Sequence, residues 1–388
     1  MRMSEKFLSL ARRLYEESPS YCVKAFTSRR FSPEHFQRVI DSLDGDSNGL
    51  ISIRQVGSSF EGRPLRLVSI GHGTTSVLLW SQMHGDESTA TMAISDVVNY
   101  FIRTKEEELT QRFLSSLTVH FLPIVNPDGA ARFQRRTAQG IDMNRDALAL
   151  RTPEARILKQ AQIDLKPRFG FNLHDQELST VGSSRELTAI ALLAPAFDEG
   201  KSDNLTRLDS KRLAATFVSA LNHIKQTRIT KYDDTFEPRA FGDNFQTWGT
   251  STVLVESGHT LNDPEKESIR ILNFVGIVAS LYSIATGELE QSKILDYENL
   301  PLNGKKAYDC IIRNVLIDHE DGRTTLADLG ISYQIDTHTS STPTLVDLGD
   351  IQTLVGLKDI DGRSTKIPQR LLVLGKPFEW ERYVRASG

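Results

Sequence analysis

Apolar residues recur along the chain with two different periods, and the changes of period outline the architecture. In "EKFLSLARRLYEE" (5–17), Phe7, Leu8, Leu10, Ala11 and Leu14 fall at helical spacing. "SPEHFQRVIDSL" (32–43) opens on Ser-Pro-Glu, a helix-entry signal. From about residue 50 to 290, short β-branched or apolar runs alternate with longer amphipathic ones. "RLVSIG", "SVLLWSQMH", "TVHFLPIVN", "RFGFNLHD" and "TVLVESG" predict strands. "ESTATMAISDVVNYFIRT", "TPEARILKQAQIDL", "SKRLAATFVSALNHIKQ" and "EKESIRILNFVGIVASLYSIATG" predict helices. Such alternation implies an α/β fold with a mixed, largely parallel sheet flanked by helices. After about 290 the runs "DCIIRNVLID", "ADLGISYQID", "TLVDLGDIQTLVG" and "QRLLVLG" are short and separated by Gly, Asp and Asn turns. They predict a small β-rich domain. The expected division is a helical segment at 1–50, an α/β domain at 51–290 and the β-rich domain at 291–388.

In open α/β sheets, ligands bind beyond the carboxyl ends of the strands, and polar residues collect there. His84 follows "VLLWSQ", Asn126 ends "TVHFLPIV", His174 ends "RFGFNL" and Glu256 ends "TVLV". Taken singly, each has a structural alternative, and a lone histidine at a strand end is more often a hydrogen-bonded structural residue than a ligand. Taken together, His84, Glu87 and His174 are two histidines and a carboxylate, a complete protein ligand set for catalytic zinc with a fourth position left for water. Glu256 would then be a general base beside that water. The stretch "RRTAQGIDMNRD" (135–146) adds Arg135, Asn144 and Arg145, either a solvated basic loop or a carboxylate grip, since guanidinium binds carboxylate bidentately. Asp142 in the same loop could hold a ligand histidine through its second ring nitrogen.

Composition narrows the options. The chain has 388 residues, 39% hydrophobic and 25% charged, and a net charge of -4, which offers no electrostatic reason for nucleic acid or an anionic membrane as partner. Two cysteines, Cys22 and Cys310, make neither a disulfide framework nor a cysteine metal site. The first residues lack a signal peptide's apolar core, and no run approaches the length of a membrane span, so a cytoplasmic location is expected.

Six segments in order resemble the zinc metallocarboxypeptidases of the carboxypeptidase A and B type and their bacterial relatives. They are "EGRPLRLVSIG" (61–71), "MHGDE" (83–87), "NPDG" (126–129), "RRTAQGIDMNR" (135–145), "NLHD" (172–175) and "LVESG" (254–258). The resemblance covers about residues 55 to 290. It implies a metallocarboxypeptidase-like fold and one zinc ion per chain on His84, Glu87 and His174. By the same resemblance Arg135 polarises the scissile carbonyl, Asn144 and Arg145 hold the substrate's terminal carboxylate, Glu256 is the base and proton shuttle, and Asp142 stands behind the first zinc histidine. Tyr232 is the nearest match to the family's mobile tyrosine. Arg239 and Asp243 fall where family members carry specificity residues. Departures are "DQE" after His174 and "MNRD" in place of "LNRN". The expected activity is hydrolysis of a C-terminal peptide bond on a peptide with a free carboxylate. A zinc deacylase of N-acylated amino acids is the alternative, and a non-catalytic zinc- or ligand-binding homologue a third, which retention of Glu256 disfavours.

Two motifs lead elsewhere. "DGDSNGLISIRQ" (44–55) has EF-hand spacing, but Gln55 at position twelve cannot give calcium a bidentate carboxylate, so a plain turn is expected. "NLT" (204–206) is a glycosylation sequon only in a secreted protein. The tail resembles the small β-sandwich that accompanies amidohydrolase barrels, which favours a sandwich there, with packing, oligomerisation or gating as its possible roles.

Overall fold

Ser32 caps the second helix by accepting from the His35 amide, with Pro33 at the first helical position, as the entry signal predicts. The computed structural model describes residues 3–225, 227–335, 341–363 and 365–384. They divide into two units, Met1–Gln176 with Ala189–Leu302, and Glu177–Thr188 with Asn303–Gly388.

In chain order the strands are β1 (Ile51–Ser58), β2 (Pro64–Gly71), β3 (Thr75–Ser81), β4 (Leu117–Leu122), β5 (Phe169–Asp175), β6 (Ser179–Val181), β7 (Ile190–Leu193), β8 (Ile229–Lys231) and β9 (Ser251–Ser257). All but β6 form one mixed sheet in the order β1-β2-β4-β3-β5-β9-β7-β8. Its centre, β4-β3-β5-β9, is parallel throughout. The carboxyl ends of these four strands therefore lie along one edge, and His84, Asn126, His174 and Glu256 follow from or sit on them. Strand β1 pairs antiparallel with β2, β2 with β4 and β7 with β9, while β8 runs parallel to β7; no sequence run predicted β1, β7 or β8.

The helices are α1 (Glu5–Tyr21), α2 (Pro33–Ser47), α3 (Thr89–Arg103), α4 (Glu108–Ser116), α5 (Pro127–Arg132), α6 (Pro153–Leu165), α7 (Leu205–Ile224), α8 (Phe241–Thr247), α9 (Glu267–Thr286) and α10 (Ile294–Glu298). Helices α1 and α2 do not stand apart as a 1–50 segment. Phe7, Leu14, Phe36 and Ile40 belong to the core cluster that also contains Val77, Phe171, Phe217 and Phe274. Contrary to the sequence reading, α9 is long and apolar enough to cross a membrane by length and composition. Here it is a core helix, buried continuously from Leu272 to Ser283, as expected of a helix that is apolar all round. Gly276 lets it approach α7, since a Cβ there would lie 2.2 Å from the Phe217 ring.

The second unit begins two residues after Asp175 and resumes at Asn303, so the boundary falls later than 290 and the unit takes in a twelve-residue excursion from the α/β part. It contains β10 (Asn303–Lys306), β11 (Tyr308–Asp318), β12 (Thr324–Ile335), β13 (Ser341–Gly349), β14 (Gly356–Asp361) and β15 (Lys366–Pro368). One five-stranded sheet runs β13-β12-β11-β14 with β15 on β11, and β10 pairs with β6. Its core gathers Ile312, Leu329 and Leu345 with Phe378, Trp380 and Val384. Among the described residues the expected sandwich is thus one five-stranded sheet covered by turns at 369–384, with β10 and β6 as a separate pair.

The calcium-like stretch is the end of α2, a left-handed cap at Asn48 and the start of β1. Asn204 of the sequon caps α7, accepting from the Arg207 amide at 2.8 Å.

Candidate metal and active site

The loop after β3 turns abruptly. Gln82 adopts a left-handed φ of 54°, and its Nε2 donates to the Gly85 carbonyl at 2.8 Å. Gly85 is needed because its backbone meets α5: a Cβ there would lie 2.1 Å from the Gly129 carbonyl carbon. Asn126 caps α5 by accepting from Gly129 N at 2.9 Å and donates to the Arg135 carbonyl at 3.4 Å. Asp128, fully buried, accepts from Ser59 Oγ, Glu61 N and Arg63 Nη1 at 2.7, 2.9 and 2.7 Å. "EGRPLR" and "NPDG" thus occur together because one closes around the other. Asn126, a strand-end candidate by sequence, is a structural cap.

This loop brings His84 and Glu87 beneath the end of β5. Glu87 Oε1 lies 2.7 Å from His84 Nδ1, and Oε2 lies 2.7 Å from His174 Nδ1. The candidate ligand atoms of the three residues all lie within 4.8 Å of one another. All three side chains are buried. Asp142 Oδ1 lies 3.1 Å from His84 Nε2. Burial opposes charge on this ring, but Glu87 and Asp142 outweigh it and raise its pKa to about 9. A metal on Nδ1 would therefore displace the proton shared with Glu87 while Nε2 keeps its own. The Asp175 amide donates to Glu87 Oε2 at 3.2 Å. Burial opposes charge on Glu87, but the two imidazoles outweigh it and hold the carboxyl well below its usual range. Burial pushes His174 down, towards the neutral form a ligand needs. Two imidazoles and one ionised carboxylate, converging in a buried site, fit one zinc ion, which would take the place of the protons the rings share with Glu87.

Glu256 is paired in register with His174 on the neighbouring parallel strand, so the two side chains leave the same face. Its Oε2 is buried and has no hydrogen-bond partner among the described residues. Burial first, then the charge of Glu87, push its carboxyl above the ordinary carboxylate range, suiting a group that must take up a proton.

The basic loop lies alongside. Arg135 Nη1 is 3.1 Å from His84 Nδ1 and 3.3 Å from Glu87 Oε1, while Nε and Nη2 hold Asp142 Oδ2 at 3.2 and 3.0 Å. Its side chain is 46% exposed, so it stands at the mouth of the site. Asn144 donates its backbone N–H to Asp142 and accepts from Phe241 N on Oδ1 at 2.9 Å, and its side-chain NH2 makes no hydrogen bond among those described. Arg145 meets Glu237 at 3.4 Å. Arg239 clasps the same carboxylate with two bonds, at 2.9 and 2.8 Å, and with Arg145 holds Glu237 down at about 2. Asp243 accepts from Glu237 N at 3.0 Å, and burial pushes it up to about 6. Tyr232 Oη donates to Gln176 Oε1 at 2.8 Å, two residues beyond His174.

Sequence reasoning missed Arg29, Lys266 and Glu237, and saw Asp175 only as a departure from the family pattern. Arg29 and Lys266 lie in loops outside the six segments, and no spacing links them to the site.

Comparison with known proteins agrees with this geometry. Residues 36–180 match the zinc carboxypeptidase family. Among curated relatives, carboxypeptidase B of Astacus astacus is 30% identical over 95 residues, covering 24% of this chain and 31% of that protein. Carboxypeptidase SOL1 of Arabidopsis thaliana is 22% identical over 186 residues, covering 43% and 38%. The matched part of this chain thus spans well under half the length of these relatives. Among solved structures, the metallo-carboxypeptidase of Burkholderia cenocepacia superposes with a TM-score of 0.54 at 18% identity, covering 66% of this chain and 70% of that one. Carboxypeptidase A of Helicoverpa armigera gives 0.52 at 16%, covering 73% and 81%. At these identities the structural likeness concerns the fold.

Proposed function

From a chain that carries a zinc carboxypeptidase domain, we propose a metallocarboxypeptidase that hydrolyses the C-terminal peptide bond of peptides with a free terminal carboxylate. The observation that carries the reading is the convergence of His84 Nδ1, Glu87 and His174 Nδ1 with Glu256 in register beside His174. Zinc held by His84, Glu87 and His174 supplies Lewis acidity, which makes a water nucleophilic near neutral pH and polarises a carbonyl.

The remaining work belongs to the chain's own groups. Glu256, half-buried, with no hydrogen bond from a described residue competing for its Oε2, takes the proton from the attacking water and passes it to the leaving amine. Arg135, at the mouth of the site, turns its guanidinium to the oxygen on which negative charge develops, where a fixed donor is worth most. Asp142 keeps the His84 tautomer and restrains Arg135 from behind. The side-chain NH2 of Asn144 and the guanidinium of Arg145 bind the terminal carboxylate and so select the last peptide bond. Tyr232, tied to Gln176, completes the substrate side.

The test is hydrolysis of matched peptides with free and amidated C-termini by the zinc-loaded protein and by Glu256→Gln. The free acid should be cleaved and the amide spared. Glu256→Gln should retain zinc and lose about 10² to 10⁴ in kcat, the usual contribution of a general base. Equal cleavage of both peptides would replace the exopeptidase reading with a broader amide hydrolase.

A further inference from the structure

Asp175, directly after the candidate ligand His174, has no part in the chemistry above, yet it is one of the more heavily engaged side chains near the site. Its side chain is 4% exposed. Oδ2 accepts from Thr89 Oγ1 at 2.6 Å, Arg29 Nη2 at 3.2 Å and Lys266 Nζ at 3.4 Å. The two cations come from segments far apart in sequence. Arg29 lies in the connection between α1 and α2, before the stretch that matches the family. Lys266 precedes α9, in a loop whose turn Asp263 closes by accepting from the Glu267 and Ser268 amides.

Each cation also holds a backbone carbonyl next to a site residue. Arg29 Nη2 donates to the Asp86 carbonyl at 3.1 Å, one residue before Glu87, and Ser88 Oγ, one residue after, donates to the Arg29 carbonyl at 2.5 Å. Lys266 Nζ donates to the Ser257 carbonyl at 3.1 Å, one residue after Glu256. Asp175 itself reaches Glu87 through its amide. Three peptide segments that must keep a fixed mutual placement for hydrolysis are therefore pinned to one carboxylate. Lys266 is 98% buried along its side chain, being 2% exposed, so its ammonium has few alternatives to these two acceptors.

We propose that Arg29, Asp175 and Lys266 form a buried ionic clamp that positions the zinc ligand Glu87 and the base Glu256 relative to each other. All three are positioning residues, and the proposal rests on the zinc-peptidase reading for the roles of Glu87 and Glu256. The arms of the clamp have separable consequences. The Arg29 arm ends on the Glu87 loop and governs metal affinity. The Lys266 arm ends on the Glu256 strand and governs turnover. Asp175, common to both, governs the two together. Neither arm touches the Arg145 carboxylate grip, so substrate affinity stays outside its reach.

Arg29→Gln, Lys266→Met, Asp175→Asn and the Lys266→Met/Asp175→Asn double variant test this. Zinc affinity is read by competition with a chromophoric chelator, and kcat and KM on a free-acid peptide. Loss of an outer hydrogen-bonding partner of a metal ligand changes affinity or activity by about 10- to 100-fold. Arg29→Gln should weaken zinc by about tenfold or more. Lys266→Met should lower kcat by a similar factor, with KM and zinc affinity unchanged. Asp175→Asn should do both. The double variant should fall no further in kcat than the worse single one, because residues acting as a unit are not additive. The clamp is overturned if folded Arg29→Gln and Lys266→Met keep zinc affinity and kcat within about twofold of the unmodified protein, or if the double variant multiplies the single effects. Should Asp175→Asn fail to fold, these two single variants decide. The zinc arm is independent of activity: a protein that cleaves no peptide but loses zinc on Arg29→Gln would fail the peptidase reading and keep the clamp's metal arm.

Discussion

Arg145 is not idle in the absence of substrate, and this changes what its removal should do. A charge-assisted contact between guanidinium and a substrate carboxylate contributes roughly 1.5 to 3 kcal/mol. Before substrate binds, Arg145 meets Glu237 at 3.4 Å, with side chains 40% and 30% exposed. A pair so open to water is worth only about 0.2 to 1 kcal/mol. Binding exchanges the weaker contact for the stronger. The net loss in Arg145→Ala is then about 0.5 to 2.8 kcal/mol, or roughly 2- to 100-fold in kcat/KM for free-acid peptides. Glu237→Gln removes the competitor and leaves the grip, so it should improve binding of the same peptides by about 1.4- to 5-fold. Steady-state kinetics on a free-acid peptide and its amide, across the unmodified protein, Arg145→Ala and Glu237→Gln, read both effects. Amide hydrolysis, if measurable, should be indifferent to either change. The reasoning is refuted if Arg145→Ala weakens acid and amide equally, or if Glu237→Gln weakens the free acid as much as Arg145→Ala does.

Further outcomes follow from other parts of the molecule. His174→Ala should abolish stoichiometric zinc binding by elemental analysis while far-ultraviolet dichroism stays unchanged, since the ligand sits at the end of a strand whose core residues are untouched; retained zinc would remove His174 from the ligand set. Asp96→Ala should lower the urea midpoint by an amount equivalent to about 3 to 5 kcal/mol, because the buried Arg270, whose Nε and Nη2 both donate to Asp96 at 2.7 Å, is left with the Val23 carbonyl and the half-exposed Glu267; a loss under about 1 kcal/mol would show that these two suffice. His120 on β4, 2.7 Å from Ser69 Oγ, is pushed down to about 4 by burial and then by Arg54. An unfolded imidazole titrates near about 6.5, so the unfolded chain takes up the proton first: stability is intact above that pH and falls as the pH drops towards 4. Partial exposure limits the loss to about 1 to 2 kcal/mol, and urea titrations of His120→Gln at pH 7 and 4.5 should show a smaller drop than the unmodified protein.

How much of this was legible in the sequence depended on the range of the interaction concerned. Periodicity is local, so the four strands that end on His84, Asn126, His174 and Glu256 could be drawn from apolar runs alone. Once they are drawn as parallel, their ends must share an edge. The capping of α2 by Ser32 is equally local. The antiparallel β7 carries too short a run to signal itself, and α9 looks the same by composition whether it lies in a protein core or a bilayer. The packing of α1, α3 and α7 around it decides. The excursion at Glu177–Thr188 is likewise invisible, because its partner strand β10 lies more than a hundred residues later. At the site, residue types at strand ends announced a metal centre and its base, since that chemistry requires those side chains. The pairing of Arg145 with Glu237 and the meeting of Arg29 and Lys266 on Asp175 follow no spacing. Those contacts are made by loops, whose course is set by what they pack against; buried charge finds its partner in space, and sequence distance carries no record of it.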